Sequence, residues 1–307
     1  MSTTTERSGA TAPAAGRSRK KAAAPAPTGP DRIPQPSQGW YRVPGTDTKL
    51  RRVTTILNGG YPKPELMFWA ANLTAQDAFA TLPTLVAASL NPAAKEEAYD
   101  WLRKGHIRKK EERGDLGTAA HTLVESHVLG TPLPEELLND PEMAPYLDNF
   151  LRFVAEWEVE FEASEMTVGN FAHGYAGKLD YLFRSRLIAA ELKVSADTLF
   201  LGDTKTGGEL DEKGVYPEAG LQMSAYRRAE VCWLRDGTQL PMPQIHEVGI
   251  VLHLRPEGYR PMPLKCGDDV FAAFLHVQQV AEFKRVLAKS VVGDALALPQ
   301  LTEERAA

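Results

Sequence analysis

Apolar and polar positions divide the chain into segments of two periods. From residue 40, Trp40-Tyr41-Arg42-Val43, the break Pro44-Gly45-Thr46 and the apolar stretch 50–57 read as a β-hairpin. Gly59-Gly60, Pro62 and Pro64 close it. Apolar spacings near 3.6 then predict helices over 65–90 and 93–110. A further helix starts at Asp115 or Gly117 and runs to Leu129, where Gly130 ends it. Leu116, Ala120, Leu123, Val124 and Val128 form its stripe, flanked by Thr118, His121, Thr122 and Glu125. A helix over 145–159 precedes strands at 166–168, 174–183 and 198–204. After Gly207-Gly208 come a helix over 219–234, a hairpin over 247–264 turning at Pro256-Glu257-Gly258, and a helix over 268–287. No internal repeat is visible. The order predicts a mixed α/β domain with helices over a sheet.

Composition narrows the class. The chain has 307 residues, 43% of them hydrophobic and 24% charged, which excludes a wholly disordered or collagen-like protein. No apolar run approaches the roughly 20 residues of a membrane helix. No apolar core of a secretion signal stands at the N-terminus, so a cytoplasmic, reducing setting is the expectation. Cys232 and Cys266 lie outside any CxxC, which excludes a disulfide scaffold and a four-cysteine zinc or iron–sulfur site within this chain.

Residues 1–38 are rich in Ala, Pro, Ser, Thr and Gly and are expected to be a disordered leader. Their balance is +4, against −5 for the whole chain, so the remainder carries −9. The expected organisation is a basic leader (1–38), a single domain (39–290) and a flexible tail (291–307). An acidic body argues against a passive DNA coat but not against carboxylates that hold a metal.

The most informative segment runs from Leu199 to Gly208, where an apolar strand leads into Asp203-Thr204-Lys205 and a glycine break. In a strand, Asp203 and Lys205 share a face, roughly 6.6 Å apart along the chain. Such a pair can hold a divalent cation and orient a water on a phosphate, although a lone Asp-x-Lys is more often a surface ion pair. Its company changes the reading. Asp180 ends Gly177-Lys178-Leu179-Asp180, and His121 ends Gly117-Thr118-Ala119-Ala120-His121, with Glu125 one turn later. Gln222 and Tyr226 repeat the i,i+4 spacing downstream. Glu191-Leu192-Lys193 offers a second match to (D/E)-x-K.

A divalent metal held at such a site would neutralise charge on a phosphate and supply a nucleophilic water. The basic run from Arg103 to Arg113 reads either as a path for a DNA backbone or as a solvated helix face. Phe68, Trp69 and Tyr61 read as base-stacking or core residues. Walker A, GxSxG and HExxH motifs are absent.

In this order the motifs resemble the RecB-like branch of the PD-(D/E)XK nuclease superfamily, particularly phage exonucleases and CRISPR-associated RecB-like nucleases. The likeness covers residues 113–230: Gly-Thr-x-x-His at Gly117 to His121, Gly-x-x-Asp at Gly177 to Asp180, Asp-x-Lys-Thr-Gly at Asp203 to Gly207, and Gln-x-x-x-Tyr at Gln222 to Tyr226. It implies a restriction-endonuclease-like core, a central mixed β-sheet flanked by helices with N-terminal helical additions. It implies metal ligands His121, Asp180 and Asp203 suited to Mg²⁺ or Mn²⁺. It also implies catalytic Asp180, Asp203 and Lys205, with Lys205 orienting the water or stabilising phosphate charge, and Gln222 and Tyr226 in contact with DNA or supporting the metal site. Beside these, Glu125 is a candidate catalytic outer ligand and Arg113 a candidate substrate contact. The four cysteines of the CRISPR-associated relatives are missing, which favours the phage-type exonuclease without an iron–sulfur cluster. The expectation is a Mg²⁺- or Mn²⁺-dependent DNA exonuclease of recombination or DNA processing, with a single-strand annealing protein as natural partner and no membrane association. A structure-specific endonuclease and a catalytically silent DNA-binding or assembly module are the alternatives.

Overall fold

Ten strands join into one mixed sheet within residues 29–210 and 215–297, the parts of the chain that the computed structural model describes. They are β1 (Gln35–Ser37), β2 (Trp40–Arg42), β3 (Lys49–Arg52), β4 (Glu160–Asn170), β5 (Tyr175–Arg184), β6 (Phe200–Lys205), β7 (Val231–Trp233), β8 (Gln239–Pro241), β9 (Val248–Arg255) and β10 (Gly258–Lys265). One path runs β1-β2-β3-β5-β4-β7-β8, while β6 joins β5 to β9 and β10 closes that side. The β3–β5 and β6–β9 pairs are parallel and the rest antiparallel.

The organising strand is β5. One of its edges carries β4 from Glu160↔Arg184 to Asn170↔Tyr175. The other edge is shared: β3 takes Tyr175 and Ala176, and β6 takes Tyr181, Leu182 and Phe183. Between them residues 177–180 have no strand partner on that edge, so the sheet forks there.

Helices cover both faces. The described ones are α1 (Val53–Gly60), α2 (Pro64–Ala80), α3 (Leu82–Ser89), α4 (Pro92–Arg103), α5 (Gly105–Leu129), α6 (Glu135–Leu138), α7 (Ala144–Glu156), α8 (Arg186–Glu191), α9 (Glu218–Arg227) and α10 (Asp268–Arg285). On one face, Val53, Ile56 and Leu57 of α1, Met223 and Tyr226 of α9 and Phe274 of α10 pack on Val168, Leu179, Leu201 and Val251. On the other, Ala120, Leu123 and Val124 of α5, Phe150 and Phe153 of α7 and Ile188 of α8 pack on Tyr181, Phe183, Phe200 and Leu252. No described helix is long and apolar enough to cross a membrane.

The α/β class follows the expectation, and several elements differ in detail. The segment 53–57 is helix rather than hairpin strand: the i, i+3, i+4 spacing of Val53, Ile56 and Leu57 buries all three beneath α10, which overrides β-branched propensity. The long helix expected over 65–90 breaks at Thr81, because Pro83 cannot continue a preceding helix. Asn91 starts α4 by accepting from the Ala93 and Ala94 amides. The second half of the basic run and the His121 helix are one continuous helix, α5, despite Gly114 and Gly117. The helix expected over 219–234 stops at Arg228, and Val231-Cys232-Trp233 pairs with β4 instead.

Regular structure begins before residue 38: Gly29–Arg32 is a 3-10 turn, and β1 pairs with β2 around Gln38-Gly39. Residues 1–28 and 298–307, with most of the expected leader and part of the expected tail, lie outside the described residues. Residues 291–297 contain no helix or strand. The helices α2, α3 and α4 bury no residue fully, and Phe68, Phe79 and Val86 are exposed on them.

Gly202 lies opposite Tyr181 in the β5–β6 ladder, and a Cβ there would sit 1.8 Å from the Tyr181 ring. Gly202→Ala should therefore destabilise the protein by about 1–3 kcal/mol, the usual cost of overpacking. Chemical denaturation should also show much of that loss recovered in the Gly202→Ala/Tyr181→Leu double variant.

Candidate metal centre

The site grows out of a local fault in the β4–β5 ladder. In a regular strand residues two apart share a face. Yet Leu179 packs with the α1–α9–α10 layer while Tyr181 packs with the α5–α7 layer, and Leu179 and Leu182, three apart, share a layer. The facing strand slips in the same way, for Ala163 and Met166, also three apart, both pack on the first layer. Glu165 sits in this slip with a φ of 51°, a left-handed backbone rarely adopted outside glycine. By register it lies opposite Asp180, between the pairs Ser164↔Tyr181 and Met166↔Leu179. The slip thus gives up regular alternation, with a left-handed backbone at Glu165, and turns two acidic side chains toward α5. Strain of this kind concentrates at functional sites.

The buried face of α5 fixes the third group. Ala120, Leu123 and Val124 anchor the helix, and His121 projects beside them, a third exposed. Its Nδ1 lies 3.3 Å from Asp180 Oδ2 and 3.9 Å from Glu165 Oε1. One ligand atom from each of His121, Glu165 and Asp180 falls within 4.8 Å of the others. Glu165 and Asp180 are mostly shielded from solvent, with side chains 15% and 12% exposed. Two hard oxygens and one imidazole nitrogen are a donor set that suits Mg²⁺ or Mn²⁺, and three protein ligands would leave coordination positions open.

Asp180 also takes a hydrogen bond from the Thr204 amide at 2.8 Å, which ties the triad to β6. Burial, then the nearby Asp203 carboxylate, raise its pKa from 3.8 to about 6, partly opposed by His121 and Lys205. A carboxyl so reluctant to ionise is one that a cation would relieve.

Asp203 stands next to the triad rather than in it. Its Oδ2 is 2.5 Å from Lys205 Nζ but makes no well-angled hydrogen bond, and its Oδ1 receives a 3.4 Å bond from Gln222 Nε2. Burial works to lower the Lys205 pKa, but Asp203 and Asp180 outweigh it and the net shift is upward. Lys205 is therefore a fixed ammonium rather than a proton acceptor. The loop after it is pinned from β9. His253 Nε2 donates to the Gly207 carbonyl at 2.8 Å, and Arg255 Nη1 donates to the Thr206 carbonyl at 2.7 Å.

The expected site residues divide accordingly. His121, Asp180, Asp203, Lys205 and Gln222 gather at the fork. Of the expected ligands, His121 and Asp180 fall in the cluster that could hold a metal ion, and its third member is Glu165 rather than Asp203. Glu125, expected as an outer ligand, is paired with Arg235 at 2.8 Å and is not part of the cluster. Tyr226 is 4% exposed and cannot face a substrate. Its ring fills the space above Gly177, where a Cβ would meet it at 2.3 Å, so its role is support for β5. Arg113 is exposed, with its guanidinium 5.8 Å from the centre of the Trp69 ring. Tyr61 packs against the core and Phe68 faces solvent. Glu191 and Lys193, the alternative (D/E)-x-K, lie exposed at the end of α8.

Glu165 was missed because the predicted strand began at 166; the polar stretch Glu160 to Glu165 hides the first half of β4. Pairing Asn170 with Tyr175 across the intervening turn would have placed Glu165 opposite Asp180. The chain matches no model of a known protein family and no curated protein.

Because its folded pKa is raised, Asp180 favours the metal-free fold while protonated, and that contribution is lost as pH rises through about 6. Asp180→Asn should thus raise the thermal midpoint in EDTA at pH 8, by the equivalent of about 1–3 kcal/mol. The gain should shrink toward zero near pH 4. Thermal unfolding across that range checks both the sign and the window.

Proposed function

We propose that the protein is a divalent-metal-dependent deoxyribonuclease, acting as an exonuclease of the RecB-like PD-(D/E)XK kind. The observation that carries this reading is the meeting, at one fork in the sheet, of an imidazole–carboxylate triad with a Lys205 ammonium paired to the buried Asp203. A structural ion pair needs no triad beside it, and a simple cation site needs no lysine held in the charged state.

His121, Glu165 and Asp180 would hold the cation, which supplies Lewis-acid activation and charge neutralisation at a phosphoryl centre. Lys205 presents a permanent positive charge where negative charge develops on the phosphate oxygens. Asp203 keeps that ammonium in place, and Gln222 keeps Asp203 from turning away. With its pKa pushed up, Lys205 does not take a proton from water; it orients the water and stabilises the phosphate.

The substrate class is supported by α5. The segment 103–113 holds Arg103, Lys104, Arg108, Lys109, Lys110 and Arg113. The first two pair with Asp100, Arg108 with Asp77 and Lys109 with Glu112, so Lys110 and Arg113 matter most here. From Lys104 onward the segment lies at the start of the helix that carries His121. At 1.5 Å per residue, Arg113 and Lys110 precede His121 by roughly 12 and 16 Å along the axis. A polyanion following those charges is led toward the triad.

End-labelled linear duplex and circular single-stranded DNA, each with Mg²⁺, Mn²⁺ or EDTA, test the assignment. Metal-dependent loss of linear DNA alone is expected, and opening of circles would make the enzyme an endonuclease. Glu165→Gln and Lys205→Met should each lower the cleavage rate by about 10²-fold or more, while Glu191→Ala leaves it within twofold. A protein inert on all substrates with both metals would overturn the reading.

A further inference from the structure

Lys178 stands at the edge of the centre without a part in the scheme above. It lies two residues before Asp180, on the regular stretch of β5 that precedes the slip, so both side chains leave the same face. Its ammonium is in direct contact with Glu165 Oε2, while Glu165 Oε1 faces His121. One carboxylate is thus divided between the metal triad and a lysine. The two ends of the pair differ: the Glu165 side chain is 15% exposed and fixed by the slip, whereas that of Lys178 is 47% exposed on a flexible stem. Lys205 offers a contrast, held by a side chain of its own strand that is only 5% exposed.

We propose that Lys178 is an exchangeable counter-ion, which holds Glu165 while the centre lacks metal and, once a divalent cation takes that carboxylate, turns to a phosphate oxygen of the substrate. The inference rests on the metal site and phosphodiester substrate proposed above. The reason is electrostatic. A divalent ion claims most of the charge of Glu165, and its own charge repels an ammonium a few ångströms away. An ion pair whose lysine end is half-exposed and free to swing is weak enough to give way. The freed ammonium then lies beside the centre and on its solvent side, where an incoming phosphate supplies the missing anion. Loading of the metal would precede tight binding of the substrate.

The test is a double-mutant cycle on the full chain, with Mn²⁺ as the probe and its dissociation constant measured by calorimetry or by loss of the free Mn²⁺ paramagnetic signal. Lys178→Met, which keeps the stem and removes the charge, should bind Mn²⁺ about threefold to tenfold more tightly than wild type. In the Glu165→Gln background the same change should alter affinity less than twofold. A second readout is anisotropy of a labelled oligonucleotide in the Lys205→Met background. Mn²⁺ should strengthen its binding, and Lys178→Met should remove most of that gain.

Failure of the wild type to bind Mn²⁺ overturns the metal site itself and the proposal with it. Wild-type binding with no effect of Lys178→Met overturns the proposal alone. An equal effect with and without Glu165 reduces Lys178 to a general field and overturns the exchange. Tighter Mn²⁺ binding with unchanged DNA affinity overturns the phosphate contact.

Discussion

The centre depends on a phase slip shared by two neighbouring strands. Had β4 and β5 kept regular alternation through Glu165 and Asp180, the apolar residues on either side could not pack as they do. Leu179 and Leu182 would face opposite layers, as would Ala163 and Met166. The left-handed backbone at Glu165 lets the strands change phase together without losing register, since Ser164↔Tyr181 and Met166↔Leu179 both hold. The fork between β3 and β6 opens beside this slip, leaving residues 177–180 free of a strand partner on that edge. Acidic side chains can therefore sit within a sheet whose two faces are covered by apolar layers.

That arrangement is electrostatically costly. Asp180, Glu165 and Asp203 place three carboxylates near one another and largely out of water. The protein offsets them with Lys205, Lys178, His121 and the Thr204 amide. The offset is incomplete, as the raised pKa of Asp180 records. Burial of an incompletely compensated charge is tolerated only where surrounding packing over-determines the backbone. Here the two layers do so: α9 and α10 grip β5 from one side while α5 and α7 grip it from the other. Stability is drawn from the apolar layers and spent at the fork.

Much of this was legible in the sequence, though unevenly. The strand carrying Asp203 and Lys205 announced itself because Phe200 and Leu201 precede it and glycine follows. The β9–β10 hairpin was readable from its turn at Pro256-Glu257-Gly258. Glu165 was not, because the half of β4 before it is polar and because a slip has no signature in periodicity. Thr54 and Thr55 with Val53 and Ile56 read as strand, and only the burial of three of that segment's side chains beneath α10 makes it helix. Local pattern finds elements whose burial is regular; it fails where a tertiary contact decides the phase.

The motif residues themselves separate into two kinds of work. Glycines stand beside the acids at Gly177 and Gly202, and both are required by aromatic rings rather than by a cation: Tyr226 lies over the first and Tyr181 over the second. Those rings are buried, and Tyr181 hydroxyl and Thr204 Oγ1 approach to 3.5 Å across the two strands. Gly-x-x-Asp and Gln-x-x-x-Tyr therefore describe one packing unit, in which a ring from α9 presses β5 at the start of the fork. Asp180 stands three residues beyond that contact. The spacing of the pattern is the distance along the strand from the point where it is clamped to the point where it is left free to carry charge.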